Sequence, residues 1–461
     1  VTLNIEEANS QKESVLSYAD KQRSSFEAKL KKIVDLASVS MEPERRPEID
    51  GTAELALAYL REMGAKGEIV KTKGYPVVIG EFHHSAKAPT VTVYNHLDVQ
   101  PALASEWLTE PFDMQIDGEV YRGRGTTDDK GPALTVLSAA YFAHQAGIPI
   151  NIKFIWELEE EIGSPSFESF LTENLAKLKT DSVVVSDTIW VSRERPAIPY
   201  GLRGLQAFLI KLKTGTKDVH SGTTGGLARN PIGEMAGLIA AIYDPCTGEV
   251  RIPGFYDAVR PVDESELDNF VASGFTVENF KRAHELGSTR TMDAAQGAKR
   301  IWAHPTFEVH GITGGYAGPG VKTIVPYQSE AKLSTRLVPD QDPEKIFELI
   351  KAFVQSYNPD FEVLKEGSLK PFLGEFVGPF AEAAKGAMQT AFGVEPAFTR
   401  EGGSIGAVVS MQEKLNVPIT FMGLSLPEHG YHAINENFDW QQARGGQVMF
   451  VDYFHRLSKL I

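Results

Sequence analysis

The sequence predicts an α/β protein: a mixed, mostly parallel sheet flanked by helices, with a smaller α+β domain inserted in it. Three observations carry this prediction. Apolar, strand-length runs at 90–94, 151–156 and 182–186 alternate with helix-length segments at 132–145 and 166–178, the signature of βαβ units. Each of those runs ends in or just before histidine or acidic residues, and ligands of such sheets gather at the carboxyl ends of the strands. Near Gly201 the pattern changes to alternating strands and long helices, and after about residue 385 it returns to sheet-and-helix patterning. With 461 residues the chain exceeds one ordinary core. The predicted division is 1–203 with 386–461, and 204–385 inserted between them.

The elements follow in order. Residues 1–13 are polar and are expected to be loosely held. Segment 14–38 has helical spacing in its second half, with Phe26, Leu30, Ile33, Val34 and Leu36 forming an apolar stripe, and 51–63 reads as a second helix. Short buried strands are expected at 76–80 and 90–94. The Ala- and Leu-rich helix 132–145 is ended by Gly147 and Pro149. Within the insert, strands are expected at 204–213 and 328–337, a glycine-rich loop at 218–231, and helices at 232–243 and 342–357. Segment 245–320 reads as irregular apart from a helical stretch at 277–286. Helix 379–392, strand 417–423 and helix 440–460 complete the chain.

Composition narrows the function. The formal net charge is −15, from 46 basic and 61 acidic residues, which argues against nucleic acid as the main partner. No apolar run is long enough to span a membrane, and no signal-peptide pattern opens the chain. A cytoplasmic location is expected, although a start at Val1 rather than Met leaves room for an exported mature form. A single cysteine, Cys246, rules out an intrachain disulfide.

Five places put metal-type ligands at strand ends or in the turns after them. They are His96 with Asp98, Asp128 with Asp129, the block Glu159-Glu160-Glu161, Asp187, and the pair His429/His432. Taken singly, each has a plain reading: a core histidine, a turn or cap aspartate, a solvated acidic face. Taken together they predict a metal site at the rim of the sheet. Mixed histidine and carboxylate ligands suit zinc, manganese or cobalt, and the lack of cysteine ligands argues against structural zinc. One carboxylate shared by two ions would make a two-metal hydrolase.

HLDVQP, GRGTTDDKGP, EEIGS, SD, DVHSG, STRLVP, REGGS and HAINEN occur in the order found in the M20 metallopeptidases, and the chain most resembles their carnosinase-like dipeptidase branch, from about residue 15 to its end. The resemblance implies two divalent metal ions per subunit, Zn or Mn. His96 and Asp187 would hold one, Glu161 and His432 the other, and Asp128 would bridge them. Asp98 would orient and polarise His96. Glu160 would be the general base, taking a proton from the attacking water and passing it to the leaving amine. A cis peptide is implied after Asp128. The inserted domain would be a lid and a homodimerisation surface, with His220 reaching the partner subunit's active site to stabilise the oxyanion. Arg336 would hold the substrate's terminal carboxylate, with Thr323 and Ser404 as further substrate contacts.

The chain departs from the family where Leu158 replaces a glycine, where Glu159 adds a third acid, and where Tyr431 and Ala433-Ile434 flank the histidine. Segment 250–320 matches weakly. The register of the acidic block therefore rests on the following Ile162-Gly163-Ser164, and His432 is chosen over His429 by its distance from Asn435-Glu436. The expected reaction is hydrolysis of dipeptides or short peptides. In the family an aspartate at the position of Asp187 goes with dipeptidases and aminopeptidases, a glutamate with carboxypeptidases and deacylases. The enzyme alternative is an N-acyl-amino-acid amidohydrolase using the same centre; a non-catalytic metal-bound scaffold is the alternative of another class. A two-metal phosphodiesterase is disfavoured, because no basic cluster lies near the motifs to clamp phosphate.

Overall fold

The structure, a computed structural model, describes residues 5–460. A six-stranded sheet organises the larger part of the chain. Its order is Lys66–Val70, Val77–Phe82, Asn151–Glu157, Thr90–His96, Ser182–Val185 and Ile419–Phe421. The strand Thr90–His96 pairs in parallel with both of its neighbours, and Ile419–Phe421 extends the parallel set against Ser182–Val185. The first two strands run antiparallel at one edge. Central strands such as Val91–Tyr94 are buried on both faces, so they read as continuous apolar runs rather than as alternation.

Helices cover both faces. On one side Ile5–Val34, Lys130–Gln145, Pro379–Phe392 and Trp440–Leu457 pack a core that includes Leu30, Val136, Met388 and Phe450. On the other, Phe167–Asn174 and Gly406–Leu415 pack Phe170 and Met411 against Tyr94 and Val183. The expectation of a mixed, mainly parallel α/β sheet is met.

The first helix corrects one expectation. It begins at Ile5 rather than near residue 14, so residues 5–13 are helical, and residues 1–4 lie outside the described residues. The helix enters the core at Val15 and Ala19, and Lys12 Nζ is tied to the carbonyl of Thr390 at 2.7 Å.

A second sheet is built by the middle of the chain. Its order is Thr306–Gly314, Gln328–Leu337, Gly204–Lys213 and Glu362–Leu369, all antiparallel. Helices Pro231–Ile242 and Pro343–Tyr357 close one face around Phe208, Leu238 and Ile350. Immediately afterwards Phe372–Leu373 pairs with Ala197–Leu202, in a three-stranded sheet with Ala397–Glu401. In segment 245–320 the helix expected at 277–286 is present as Val277–Ala283, and the rest, expected to be irregular, also holds helices Glu264–Ala272 and Ala294–Trp302 and the strand Thr306–Gly314. The helices are short, and Glu264–Ala272 and Ala294–Trp302 share their apolar cover through Phe270, Ala298 and Trp302 rather than each carrying a long stripe. Among the described residues no helix is long and apolar enough to cross a membrane.

Candidate metal centre

The carboxyl ends of three adjacent parallel strands define the rim on which the centre is built. His96 is the last residue of Thr90–His96, Glu161 lies four residues after Asn151–Glu157, and Asp187 lies two after Ser182–Val185. Asp128 comes from the turn that launches the helix Lys130–Gln145, and the Asp128–Asp129 peptide is cis. His432 enters from the loop before Asn437–Asp439.

These side chains form two overlapping groups, His96 with Asp128 and Asp187, and Asp128 with Glu161 and His432, each offering ligand atoms within 4.8 Å of one another. Asp128 belongs to both. Its Oδ1 lies 2.9 Å from His96 Nε2, and its Oδ2 lies 3.0 Å from His432 Nε2. His432 Nε2 is also 3.3 Å from Glu161 Oε2, and His96 Nε2 is 3.8 Å from Asp187 Oδ2. One buried oxygen, Glu161 Oε1, accepts no hydrogen bond. Buried carboxylates gathered around two imidazoles, with an oxygen left over, fit divalent cations that favour nitrogen and oxygen donors.

The electrostatics point the same way. Burial pushes the Asp187 carboxyl up to about 6, with Asp128 and Glu161 adding to the rise against the opposing pull of His96. Burial also raises Glu161 and places Glu160 well above the usual carboxylate range, reinforced by Asp187, Glu161 and Asp98. Burial disfavours a charged His432, yet Asp128 and Glu161 outweigh it and lift the imidazole to about 11. The same two histidines hold Asp128 below its ordinary value despite burial.

The acidic block sorts its three glutamates by tertiary partner. Glu159 is buried and accepts hydrogen bonds from the Tyr75 amide at 2.7 Å and the Ser166 amide at 2.9 Å, so it staples two loops. A Cβ at Gly74 would lie 1.7 Å from Glu159 Oε1, which is why a glycine stands there. Glu161 joins Asp128 and His432, steadied by Gln100 Nε2 at 2.5 Å. Among the described residues the Glu160 carboxylate takes no hydrogen bond and no ion pair. Its backbone amide is held by Asp98 Oδ1 at 3.2 Å.

Asp98 is placed differently from a simple partner of His96. His96 Nδ1 lies 3.0 Å from the Asp98 backbone oxygen and 3.5 Å from its carboxylate. The carboxylate is occupied by the Ser40 hydroxyl at 2.7 Å and by the amides of Glu160 and Glu161. It therefore caps the turn that carries both glutamates.

His429 stands apart from the two groups. Its Nδ1 accepts the Leu426 amide at 3.1 Å, and Nε2 faces Asp439 at 3.1 Å, so it fixes the loop rather than offering a free nitrogen. Arg336 donates to Ser404 Oγ at 3.1 Å, and that hydroxyl bonds the Arg203 carbonyl. His220 is exposed in the inserted part. Its Nδ1 accepts the Gly222 amide at 2.9 Å, and its neighbour Ser221 bonds the Thr323 carbonyl. Among the described residues, His220 and Thr323 have no hydrogen bond or ion pair with the acidic groups.

Sequence reading missed Glu436 and Tyr431 as parts of this centre. Glu436 is fully buried and accepts the amides of Gly125, Thr127 and Asp128, at 2.9, 2.9 and 3.1 Å, and the Arg124 guanidinium at 2.8 Å. It holds the turn that presents Asp128. Tyr431 donates its hydroxyl to Asp187. The one signal for Tyr431 was its departure from the family pattern.

The sequence pattern of peptidase family M20/M25/M40 matches residues 92–456. The Cys-Gly metallodipeptidase of Schizosaccharomyces pombe is 31% identical over 96% of this chain and 97% of its own length. The Beta-Ala-His dipeptidase of Homo sapiens is 30% identical over 97% of this chain and 93% of its own. Among solved structures, an M20 family metallo-carboxypeptidase from Sulfolobus solfataricus superposes with a TM-score of 0.88 at 32% identity, covering 94% of this chain and 99% of that one. With a match over most of its length and the two ligand groups at the sheet rim, the chain belongs to peptidase family M20/M25/M40 and is a metal-dependent peptidase.

Proposed function

We propose that the enzyme hydrolyses dipeptides and similar short peptides that end in a free carboxylate. The observation that carries this reading is Asp128, whose two oxygens face the two histidines of the two ligand groups that share it. His96, Asp128 and Asp187 would hold one divalent ion, and Asp128, Glu161 and His432 a second, Zn or Mn in each case. When bound, the ions polarise the scissile carbonyl and make water nucleophilic at neutral pH. Glu160, with a carboxylate free of partners and a raised pKa, takes the proton of the attacking water and delivers it to the leaving amine. Asp98 fixes the backbone of Glu160 and Glu161, and so the direction of both side chains.

Arg336, steadied by Ser404, receives the terminal carboxylate of the substrate. The inserted domain, taken as 204–385, serves as lid and dimer surface. His220 and Thr323 act in the partner subunit's site, with the His220 imidazole at the oxyanion. A cytoplasmic setting belongs to the same reading. Cleavage of free dipeptides by metal-stripped protein, restored by Zn or Mn and lost in Glu160→Ala with its metal content intact, is the expected result. Release of acyl groups from blocked amino acids in place of dipeptide cleavage would instead favour the amidohydrolase.

A further inference from the structure

Outside the acidic centre, a cavity of about 670 Å³ is lined in part by Thr306–Glu308, on the strand that pairs with that of Arg336. Its lining includes the guanidinium-bearing residues Arg203, Arg290 and Arg300, with Phe275 and Phe280 and a single acid, Glu308. In a chain of net charge −15 this is an unusual concentration of cation. Among the described residues, none of the three guanidinium groups lies within ion-pairing distance of a carboxylate. Their hydrogen bonds go to main-chain carbonyls: Arg203 to Gly402 at 3.2 Å, Arg290 to Pro245 at 3.4 Å and Arg300 to Thr247 at 3.0 Å. Each fork is thereby oriented while most of its N–H donors are left over. Burial and the nearby Arg336 lower the Arg203 guanidinium to about 10, and the charges of Glu308 and Glu401 only partly offset them.

The cavity wall is tied to Arg336 and Ser404 by strand pairing and by Arg203. Thr306 pairs directly with Arg336 across two antiparallel strands, and Glu308 pairs with Ser334. Paired residues share a sheet face, as do residues two apart, so Thr306 and Glu308 of the cavity wall lie on the same face as Arg336. Arg203 completes the link, since its carbonyl accepts from Ser404 and the residue also lines the cavity.

We infer that this cavity receives the side chain of the substrate's C-terminal residue and selects one that carries a carboxylate. This rests on the reading of Arg336 as the anchor for the main-chain carboxylate. The volume, well above that of one side chain, admits an acidic group with its hydration. The three guanidinium groups supply the charge-assisted hydrogen bonds.

The test compares kcat/KM for Ala-Glu with that for its neutral isostere Ala-Gln, and for Ala-Asp with Ala-Asn, in the metal-loaded enzyme. The acidic member of each pair is expected to be favoured at least about tenfold. That ratio should shrink in Arg300→Gln and in Arg290→Gln, and also at high salt. Because the ratio is taken within one protein, a general loss of folded enzyme cancels. Calorimetric binding of free glutamate against free glutamine, to wild type and Arg300→Gln, reads the cavity without turnover. Equal kcat/KM values for each pair in the wild type, or a preference that survives both substitutions, would overturn the proposal. Glutamate binding that depends on Arg300 in an enzyme that cleaves no dipeptide would sink the dipeptidase reading and leave the cavity's selectivity standing.

Discussion

The phenol of Tyr431 donates its hydrogen bond to Asp187 Oδ1, and its ring lies over the imidazole of His432 with centroids 5.3 Å apart and planes 21° from parallel. One side chain thus touches a member of each ligand group. Partners that orient ligands in this way govern metal affinity. Tyr431→Phe removes only the hydroxyl and should weaken metal binding by about 10- to 100-fold, read by competition with a chelator. Unchanged affinity would show that Asp187 is held well enough by its backbone.

Glu436 is the sole acceptor for three buried amides around Asp128 and the counter-charge of Arg124. Glu436→Ala leaves all of these unpaired in a buried site. The expected destabilisation is about 3–5 kcal/mol, measured by urea unfolding of the metal-free protein. A loss below about 1 kcal/mol would mean that water replaces the carboxylate.

Acid should loosen the loop that carries Tyr431 and His432. Asp439 accepts hydrogen bonds from His429, from Arg193 at 2.8 Å and from the Gln442 amide at 2.8 Å. Burial alone would raise its carboxyl, but these partners outweigh burial and bring it down to about 2. A carboxylate depressed in the folded state contributes stability that is fully present above its unfolded value, near 4, and is lost as pH falls toward 2. In the metal-free protein the gap between wild type and Asp439→Asn should be about 2 kcal/mol near neutrality and should close toward pH 2. A gap independent of pH would refute this.

Subunit mixing tests the reach of His220. Glu160→Ala and His220→Ala proteins should each be nearly inactive. A heterodimer of the two has one site with Glu160 intact and His220 supplied by the other subunit, so mixing should recover part of the wild-type rate. No recovery under conditions that exchange subunits would place His220 outside the partner's chemistry.

What was legible in the sequence was the part written locally. His96, Asp128 and Asp187 follow apolar strands or open a helix, and the rim of the sheet brings such positions together whatever lies between them. Less legible was anything decided by a distant partner. Glu159, Glu160 and Glu161 differ only in what faces them, namely Tyr75 and Ser166, nothing, and His432. Glu436 looks like an ordinary loop acid until the amides of residues 125–128 are seen to close on it. The helices Glu264–Ala272 and Ala294–Trp302 were missed because neither carries a stripe long enough to be read alone, whereas the helical stretch expected at 277–286 is present as Val277–Ala283.

The order of strands along the main sheet has a bearing on how the protein is made. Translation proceeds from the amino end, so Ser182–Val185 emerges early, whereas its sheet neighbour Ile419–Phe421 and the final ligand candidate His432 follow only after the whole second sheet. During that interval one edge of the nascent sheet offers three consecutive valines and their unpaired amides to any passing chain. Overproduction that outruns the ribosome-bound helpers should therefore yield inclusion bodies seeded at this edge, and slower synthesis in the cold should raise the soluble yield.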